Sequence, residues 1–399
     1  MSSSPVAALA MGQGGRGWAL VRSRVLCMLV LAALSAAVGL AFVTVAPNRL
    51  VSGTAVPLQA LMGLAPWGWW ALPAILLAAV FVPPTRLTQA VVALTAALLL
   101  SAWLWLAGSE AARQLAASSP LTRVSLGGGF WLLALLTWLA AADALQRLSL
   151  SLVARTLAHA AVLLPLFVLL GVGALDQLSL LKEYAIREDV FRAAGLRHLQ
   201  IVAATLIPAL LIGVPLGLAA ARNDKFATPL FAVLNVIQTV PSIALFALLI
   251  APLSGLAAAL PGWDIRGIGL LPAVIALTLY ALLPIVHGTA SGLRQVPVAA
   301  VAAATGMGMT ARQLFWRVEV PLALPVLLSG LRVTTVQVIG LAVVAALIGA
   351  DGYGGLVFQG LASSALDLVM LGVLPVVALA IVADAGLALL TAALEGPQP

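Results

Sequence analysis

The stretch that decides the fold is Gly292–Pro321, with the sequence GLRQVPVAAVAAATGMGMTARQLFWRVEVP. It joins two long apolar runs, whereas connections between packed helices usually span about 2–8 residues. Its alanine-rich part, Val298–Thr305, favours a short helix, and Gly306 and Gly308 predict where that helix ends. The glycines are surrounded by apolar side chains, those of Met307, Met309, Leu314 and Phe315. The segment is therefore predicted to form either a docking surface for another protein or a helix on the inner leaflet.

The chain as a whole has the composition of an integral membrane protein. Of its 399 residues, 63% are hydrophobic and 8% are charged, and the mean hydropathy is +1.15, whereas soluble domains carry about 25% charged residues. The net charge of +7 comes from arginines that separate apolar runs. Such charges orient loops at a membrane, so they do not indicate nucleic-acid binding. We predict an all-α integral membrane protein.

About ten transmembrane helices are predicted, because one crossing takes about 20 apolar residues. The apolar runs are Val25–Ala46, Pro66–Val82, Thr88–Ala107, Leu126–Ala142, Thr156–Leu175, Leu199–Ala221, Pro229–Ile250, Gly269–Val286, Leu322–Ile348 and Leu366–Leu394. The first run is longer than the apolar part of a signal peptide, which takes about 7–15 residues, so we expect a retained helix. The distribution of arginines between alternate loops places both termini in the cytoplasm.

A change in composition near residue 176 predicts three regions. Residues 1–175 contain about five helices made mainly of Ala, Leu, Val and Trp. Residues 176–198 alternate charged and apolar side chains, which indicates an amphipathic helix on the outer membrane surface or else a solvated loop. Residues 199–394 carry Asn, Gln, Thr, Pro and Tyr within apolar runs, and we expect this region to carry the function.

The sequence does not predict an enzyme. Neither Lys182 nor Lys225 follows a glycine, so the chain has no P-loop for a nucleotide. One cysteine, Cys27, and three widely spaced histidines give no metal-binding pattern. Asp384 is the best candidate for an intramembrane acid, but it lies toward the cytoplasmic end of the last run, where a structural role is expected.

The quoted segment resembles the cytoplasmic coupling loop of ABC importer permeases, whose signature is E-A-A-x-x-x-G, nine residues and I-x-L-P. The matching residues are Ala302, Ala303 and Ala304 on E-A-A, Gly308 on the glycine, Val318 on the isoleucine, and Val320 and Pro321 on L-P. Ala302 stands where the family has glutamate, so the polar contact of that glutamate with an ATPase is in doubt here. The resemblance assigns ATPase coupling to these residues with Met307 and Met309, in a loop over 291–321.

Four other phrases are similar to permeases of osmoprotectant importers, which carry glycine betaine, choline and related quaternary amines. They are IQTVPS at Ile237–Ser242, YALLPI at Tyr280–Ile285, GMGMT at Gly306–Thr310 and ALIGA at Ala346–Ala350. The resemblance covers roughly Glu183–Asp384 and implies the five-helix core of a type I importer permease over 199–394. The first five helices resemble, in length and hydropathy, the extension of the longer permeases in that family.

The resemblance also implies the assembly and the mechanism. Cytoplasmic ATPases that bind ATP-Mg would dock on the coupling loops, and this chain would hold no cofactor itself. A second permease subunit, either another copy or a shorter homologous chain, and an outer solute-binding protein would complete an importer in the inner membrane. ATP binding would then expose the pathway alternately to each side.

Polar residues within the apolar runs predict where the pathway lies. Their positions are Asn235, Gln238, Thr239 and Ser242, spaced i, i+3, i+4 and i+7 on one helix face. Polar groups are costly in lipid, so this face either lines the pathway or forms hydrogen bonds with a neighbouring helix. Tyr280 either offers its ring to a quaternary ammonium or packs between helices, and Gln337 has the same ambiguity.

Three other functions are compatible with a polytopic chain of this length. The first is a secondary transporter driven by an ion gradient, which predicts uptake without an ATPase and usually an intramembrane ionisable relay. The second is an ABC permease for another small solute, such as an amino acid. The third is a membrane-anchored scaffold, which would not need the patterned loop.

Overall fold

The computed structural model describes residues 21–48, 51, 53–62, 70–263 and 265–395. Its contacts divide the chain into Met1–Lys182, the N-terminal unit, and Glu183–Pro399, the C-terminal unit. The N-terminal unit contains α1 (Arg24–Gly39), β1 (Ala41–Ala46), β2 (Thr54–Pro57), α2 (Leu58–Met62), α3 (Ala71–Ala79), α4 (Arg86–Ala117), β3 (Arg123–Leu126), α5 (Gly128–Arg147) and α6 (Leu152–Gly171). Helix α7 (Ser179–Ile186) crosses the division.

The described residues of the C-terminal unit form helices joined by short turns, and none of them lies in a strand. Its helices are α8 (Glu188–Arg222), α9 (Asp224–Thr239), α10 (Ser242–Ala259), α11 (Leu270–Arg294), α12 (Val298–Gly306), α13 (Ala311–Leu314), α14 (Val320–Val344), α15 (Tyr353–Ala362) and α16 (Leu366–Glu395). A π-helical turn, Phe315–Glu319, joins α13 to α14, and a 3-10 turn, Ala345–Ile348, follows α14. Helix α11 is the central helix, since most of one of its faces is buried against α8 and α14.

The prediction of an all-α membrane protein is confirmed, with fewer long helices than expected. Within the described residues, eight helical stretches are long and apolar enough to cross a membrane. The helix predicted over Val25–Ala46 is present but ends early, because α1 stops at Gly39 and the segment that follows, which contains the β-branched Val43, Thr44 and Val45, forms β1. The run Pro66–Val82 yields only the nine-residue helix α3, and residues 66–69 lie outside the described residues.

A small sheet that the sequence did not predict organises the N-terminal unit. Strand β1 lies in the middle, antiparallel to both neighbours, with Thr44 opposite Ala55 of β2 and Ser125 of β3. Phe42 is fully buried, with its ring centroid 6.0 Å from that of Trp103 and 5.6 Å from that of Phe130. The sheet therefore fixes an aromatic centre on which α4 and α5 pack.

The amphipathic segment 176–198 forms parts of two helices. It supplies α7 and the first eleven residues of α8, whose 35 residues continue through the apolar run. The expectation of a separate surface helix was wrong for its second half, because α8 continues from Glu188 into the run without a turn, and no proline lies between them. In the C-terminal unit, rings of Phe191, His198 and Tyr353 pack together with centroids 5.2 and 5.5 Å apart. Burial in this cluster raises the pKa of the Tyr353 phenol.

Candidate functional site

The coupling segment, residues 295–321, is a short helix, a left-handed turn and a π-helical entry into α14. The predicted helix and its glycine stop are confirmed, since α12 ends at Gly306 and Gly308 has a φ of +78°. The turn is closed by the Met309 amide, which donates to the Ala304 carbonyl at 3.2 Å. Thr310 and Gln313 then form a reciprocal capping box that starts α13. Only a glycine adopts this turn without strain.

The segment presents apolar side chains to its surroundings. Met307 is 72% exposed and Trp316 is 61% exposed, whereas Ala304 of α12 is 2% exposed. Ala302 and Ala303 are also exposed, on the outer face of α12. Leu314 and Phe315, which the sequence suggested for the same surface, are half-buried. Trp316 was missed at the sequence level, because the register of the π-helical turn decides which aromatic ring points outward.

Charged contacts attach the coupling segment to the rest of the C-terminal unit. The Arg222 guanidinium, at the end of α8, donates to Glu319 at 3.1 Å and lies 5.3 Å from the ring centroid of Phe315. At the end of α11, Arg294 donates to the Ala220 carbonyl at 2.7 Å and to the Asp224 carboxylate at 2.6 Å. Arg222 therefore links the segment to α8, while Arg294, one residue before the segment, links the end of α11 to α8 and α9.

A cavity of about 900 Å³ lies between α9, α11 and α14. It is lined by Phe231, Asn235, Gln238, Leu283, Pro284, His287, Gly288, Ala290, Ser291, Arg294, Gln295, Val326, Ser329, Gly330, Val333 and Gln337. Its α11 wall is the half of that helix that leads into the coupling segment. Glycines bring two walls together, because a Cβ on Gly330 would lie 2.9 Å from the Pro284 carbonyl oxygen.

The structure brings together three of the six predicted pathway residues. Asn235, Gln238 and Gln337 line the cavity. Gln238 also donates to the Tyr280 carbonyl at 2.6 Å, so the helix-contact interpretation holds for it as well. Thr239 is exposed, and its hydroxyl donates to its own helix at Val236, at 2.7 Å.

The other two residues lie elsewhere. The prediction that Ser242 shares the face of Asn235 was wrong, because α9 ends at Thr239 and α10 begins after Pro241. Tyr280 is 5% exposed and is absent from the lining, and its hydroxyl donates to the Val240 carbonyl. The ring therefore packs between helices and holds the break at Val240–Pro241 against α11.

His287 and Ser291 are cavity residues that the sequence did not single out. The His287 side chain is exposed to the cavity, 3.5 Å from the Ser291 hydroxyl, with its ring centroid 6.0 Å from that of Phe231. Their four-residue spacing on α11 was visible, but a lone histidine in an apolar run carries no signal without its neighbours from α9. Only the approach of the two helices identifies them.

Asp384 forms an ion pair that the sequence did not reveal. Its carboxylate accepts two hydrogen bonds from Arg332 of α14, one of them 2.6 Å long. The two side chains are 42% and 41% exposed. This pairing supports the structural role expected of Asp384, because a charge among apolar helices is stabilised by an opposite charge.

Comparisons with known proteins show which proteins the chain is similar to. Residues 213–396 match the family described as binding-protein-dependent transport system inner membrane component, and residues 21–181 match the N-terminal domain of the ABC transporter permease YehY. The chain is 43% identical over 188 residues to the osmoprotectant import permease protein OsmW of Salmonella typhimurium, covering 47% of this chain and 84% of that protein. It is 36% identical to the choline transport system permease protein OpuBB of Bacillus subtilis, covering 47% and 80%. A solved chain of the MetNI methionine ABC transporter matches with a TM-score of 0.44 and 23% identity, covering 51% and 96%.

Proposed function

Because the chain belongs to the family of binding-protein-dependent permeases of ABC importers, we propose that it imports a quaternary-ammonium osmolyte such as glycine betaine or choline. Membership of this family makes the chain a multi-pass transport subunit of the bacterial inner membrane rather than an enzyme. The C-terminal unit supplies the pathway by alternating access, with the 900 Å³ cavity as its substrate-accessible part. Energy comes from ATP-Mg bound and hydrolysed on a separate ATPase.

The observation that carries the proposal is the exposed apolar surface of the coupling segment. Met307 and Trp316 together present a large apolar area beside Gly308, at the end of the unit where α8, α11 and α14 meet the segment. Burying such side chains against a partner yields about 1.5–3 kcal/mol each. Ala302 and Ala303 leave room for close approach, since their side chains end at Cβ. This surface fits a groove on a cytoplasmic ATPase.

The substrate class is supported by the relatives and by the cavity. Both relatives described above are named for osmoprotectant or choline transport. The cavity combines amide, hydroxyl, imidazole and guanidinium groups with one phenyl ring, that of Phe231, and aromatic faces attract quaternary ammonium groups. Such a lining holds a small hydrated solute weakly, which allows release.

The remaining partners and the orientation follow from the same assembly. A second permease, either another copy of this chain or a shorter homologous chain, closes the cavity from the other side. A solute-binding protein delivers the substrate at the end of the C-terminal unit opposite the coupling segment. Both termini lie in the cytoplasm in this arrangement, as does the coupling segment.

The test is co-purification followed by reconstitution. The full chain is purified in detergent from its host, and the ATPase that accompanies it is quantified for wild type, Gly308→Val and Gly306→Val. Valine at position 308 is strained by the positive φ, whereas position 306 has helical backbone and open space around it. We expect the ATPase to be reduced about tenfold or more by Gly308→Val only, since left-handed backbone costs a β-branched residue at least about 1–2 kcal/mol.

Reconstitution then identifies the energy source and the solute. The co-purified complex is placed in liposomes with the binding protein, and uptake of labelled glycine betaine and labelled choline is measured with and without ATP-Mg. ATP-dependent uptake of either solute supports the proposal. Uptake by the chain alone down an ion gradient would overturn it in favour of a secondary transporter. ATP-dependent uptake of an amino acid in place of both solutes would overturn the substrate class alone.

A further inference from the structure

The charge of the cavity wall distinguishes between the solutes of the proposed class. Among the sixteen described residues that line the cavity, the ionisable ones are His287 and Arg294, and none is a carboxylate. The other polar groups are neutral amides and hydroxyls, those of Asn235, Gln238, Ser291, Gln295, Ser329 and Gln337. A cation that enters this space therefore meets no opposite charge on this wall.

Three acids of the C-terminal unit, Asp224, Asp384 and Glu319, form ion pairs with arginines. Asp224 accepts a hydrogen bond from Arg294 at 2.6 Å and is not part of the lining, and its side chain is 90% exposed to the surroundings. Asp384 is paired with Arg332 and is not part of the lining. Glu319 is paired with Arg222 in the coupling segment. None of these three carboxylates lines the cavity, and each is engaged by an arginine.

The same wall suits a solute that carries both charges. The His287 ring and the Ser291 hydroxyl lie together on α11, with Arg294 one turn further along, and all three can donate hydrogen bonds to a carboxylate. The Phe231 ring, 6.0 Å from that of His287, offers a face for the methylated ammonium of the same molecule. Anionic and cationic ends of a short zwitterion thus find different partners within a few ångströms.

We propose that the cavity is selective for zwitterions bearing a carboxylate, such as glycine betaine, over bare quaternary cations such as choline, and that a hydrogen-bond donor without negative charge at position 287 determines this specificity. This inference rests on the proposed function, because it assumes that the cavity is the pathway. The selectivity acts on passage through the permease, and it adds to the selection made by the binding protein. An acid in place of His287 supplies the missing counter-charge for a cation and repels the carboxylate of a zwitterion.

The experiment compares initial uptake rates in the reconstituted importer with its ATPase and binding protein. Labelled glycine betaine and labelled choline are measured separately for wild type, His287→Glu and His287→Gln, and the ratio of the two rates removes differences in protein amount. Ser329→Glu, which introduces an acid on the α14 wall of the same cavity, is a second variant that is independent of the histidine.

We expect both glutamate variants to shift the ratio toward choline by about fivefold or more, the effect of one charge at about 4 Å in a hydrated site. The ratio for His287→Gln is expected to stay within about twofold of wild type, because glutamine is neutral and still donates a hydrogen bond. An unchanged ratio in both glutamate variants, with wild-type uptake intact, would overturn the inference and leave the proposed function standing. Failure of wild type to import either solute with ATP would overturn both.

Discussion

The N-terminal and C-terminal units are equally apolar, but their polar side chains lie in different surroundings. A cavity of about 410 Å³ in the N-terminal unit is lined mostly by leucine, valine, alanine and tryptophan, and its Trp103 indole donates to Thr137 at 3.4 Å. In the same unit the buried Glu110 is held by Arg113 and Gln114 at 2.7–2.8 Å. The C-terminal cavity is about 900 Å³ and leaves amide, hydroxyl and imidazole groups facing open space.

This difference indicates where function lies in a chain of nearly uniform composition. Polar groups that satisfy one another stabilise a scaffold, whereas polar groups that face a cavity are available to a solute. The C-terminal unit also carries the breaks in regular structure, at Pro241 and Gly308, and the exposed apolar side chains beside Gly308. The N-terminal unit is therefore expected to tolerate substitutions that abolish activity in the C-terminal unit.

The largest difference between the two units is expected in ATPase binding, when an exposed apolar residue on a turn of each unit is replaced by aspartate. Met307→Asp places a charge in the proposed ATPase contact and should reduce co-purified ATPase at least about tenfold, since burial of a methionine yields about 1.5–3 kcal/mol. The matched control is Leu121→Asp in the N-terminal unit, where the side chain is 68% exposed on the turn before β3. Equal loss of ATPase in both variants would remove the distinction between the two surfaces.

The next largest effect is a loss of stability where α11 and α14 approach closely. Gly330→Ala should lower stability by about 1–3 kcal/mol, the usual cost of overpacking, because its Cβ would lie 2.9 Å from the Pro284 oxygen and 3.2 Å from the Gly288 Cα. Gly340→Ala, in the same helix with open space around it, should be neutral or slightly stabilising. Thermal unfolding of the purified chain in detergent measures both. A neutral Gly330→Ala would mean that the cavity walls are not in contact there.

A smaller difference is expected between the stability losses caused by breaking one ion pair in each unit. Arg332→Met should cost about 1–2 kcal/mol, less than a fully buried pair because both side chains are about two-fifths exposed. Arg147→Met should cost about 0.3–0.5 kcal/mol, since Arg147 and Asp143 are neighbours on one N-terminal helix and lie at its end. The double variant Arg332→Met with Asp384→Leu should recover most of the loss in thermal unfolding. No recovery would show that each charge acts through another partner.

The smallest expected effect is a difference in uptake between substitutions at two neighbouring polar residues of α9, Gln238 and Thr239. Gln238→Leu removes a cavity amide and its hydrogen bond to Tyr280, so uptake should fall about threefold to tenfold, the equivalent of about 1 kcal/mol. Thr239→Val should leave uptake nearly unchanged, because that hydroxyl bonds only within its own helix. Uptake is normalised to the amount of chain in the membrane. Greater sensitivity at Thr239 would place the pathway on the outer face of α9.

The sequence predicted those elements that depend on local properties of the chain and missed those that depend on long-range pairing. The alanines and glycines of the coupling segment predicted a helix over Val298–Thr305 and its end, and α12 covers Val298–Gly306, because helix propensity and left-handed turns are local properties. Long apolar runs predicted most of the membrane helices for the same reason. The strand β1 was missed because it continues an apolar helix without a polar boundary, and its identity depends on pairing with β2 and β3.

The residues of the candidate site also fall into two groups, those that the sequence identified and those that only the structure identified. Asn235, Gln238 and Gln337 were identified as polar residues in apolar runs, a signal contained in the sequence. His287, Ser291 and Trp316 were missed, since their exposure depends on how α9, α11 and the π-helical turn are arranged. Ser242 was wrongly placed on the face of Asn235 because the two-residue break at Val240–Pro241 changes every later position on that face.

The sequence by itself determined that this chain is a membrane protein with a patterned, helix-forming coupling segment, because hydropathy, propensity and glycine conformations act within a few residues of each other. The tertiary structure alone decided which polar groups remain open to a cavity and which are paired. That outcome depends on helix contacts between residues far apart in the chain, such as Gly288 with Gly330 and Arg332 with Asp384. Packing of side chains at long range is set by shape and distance, and neither is encoded in a local pattern.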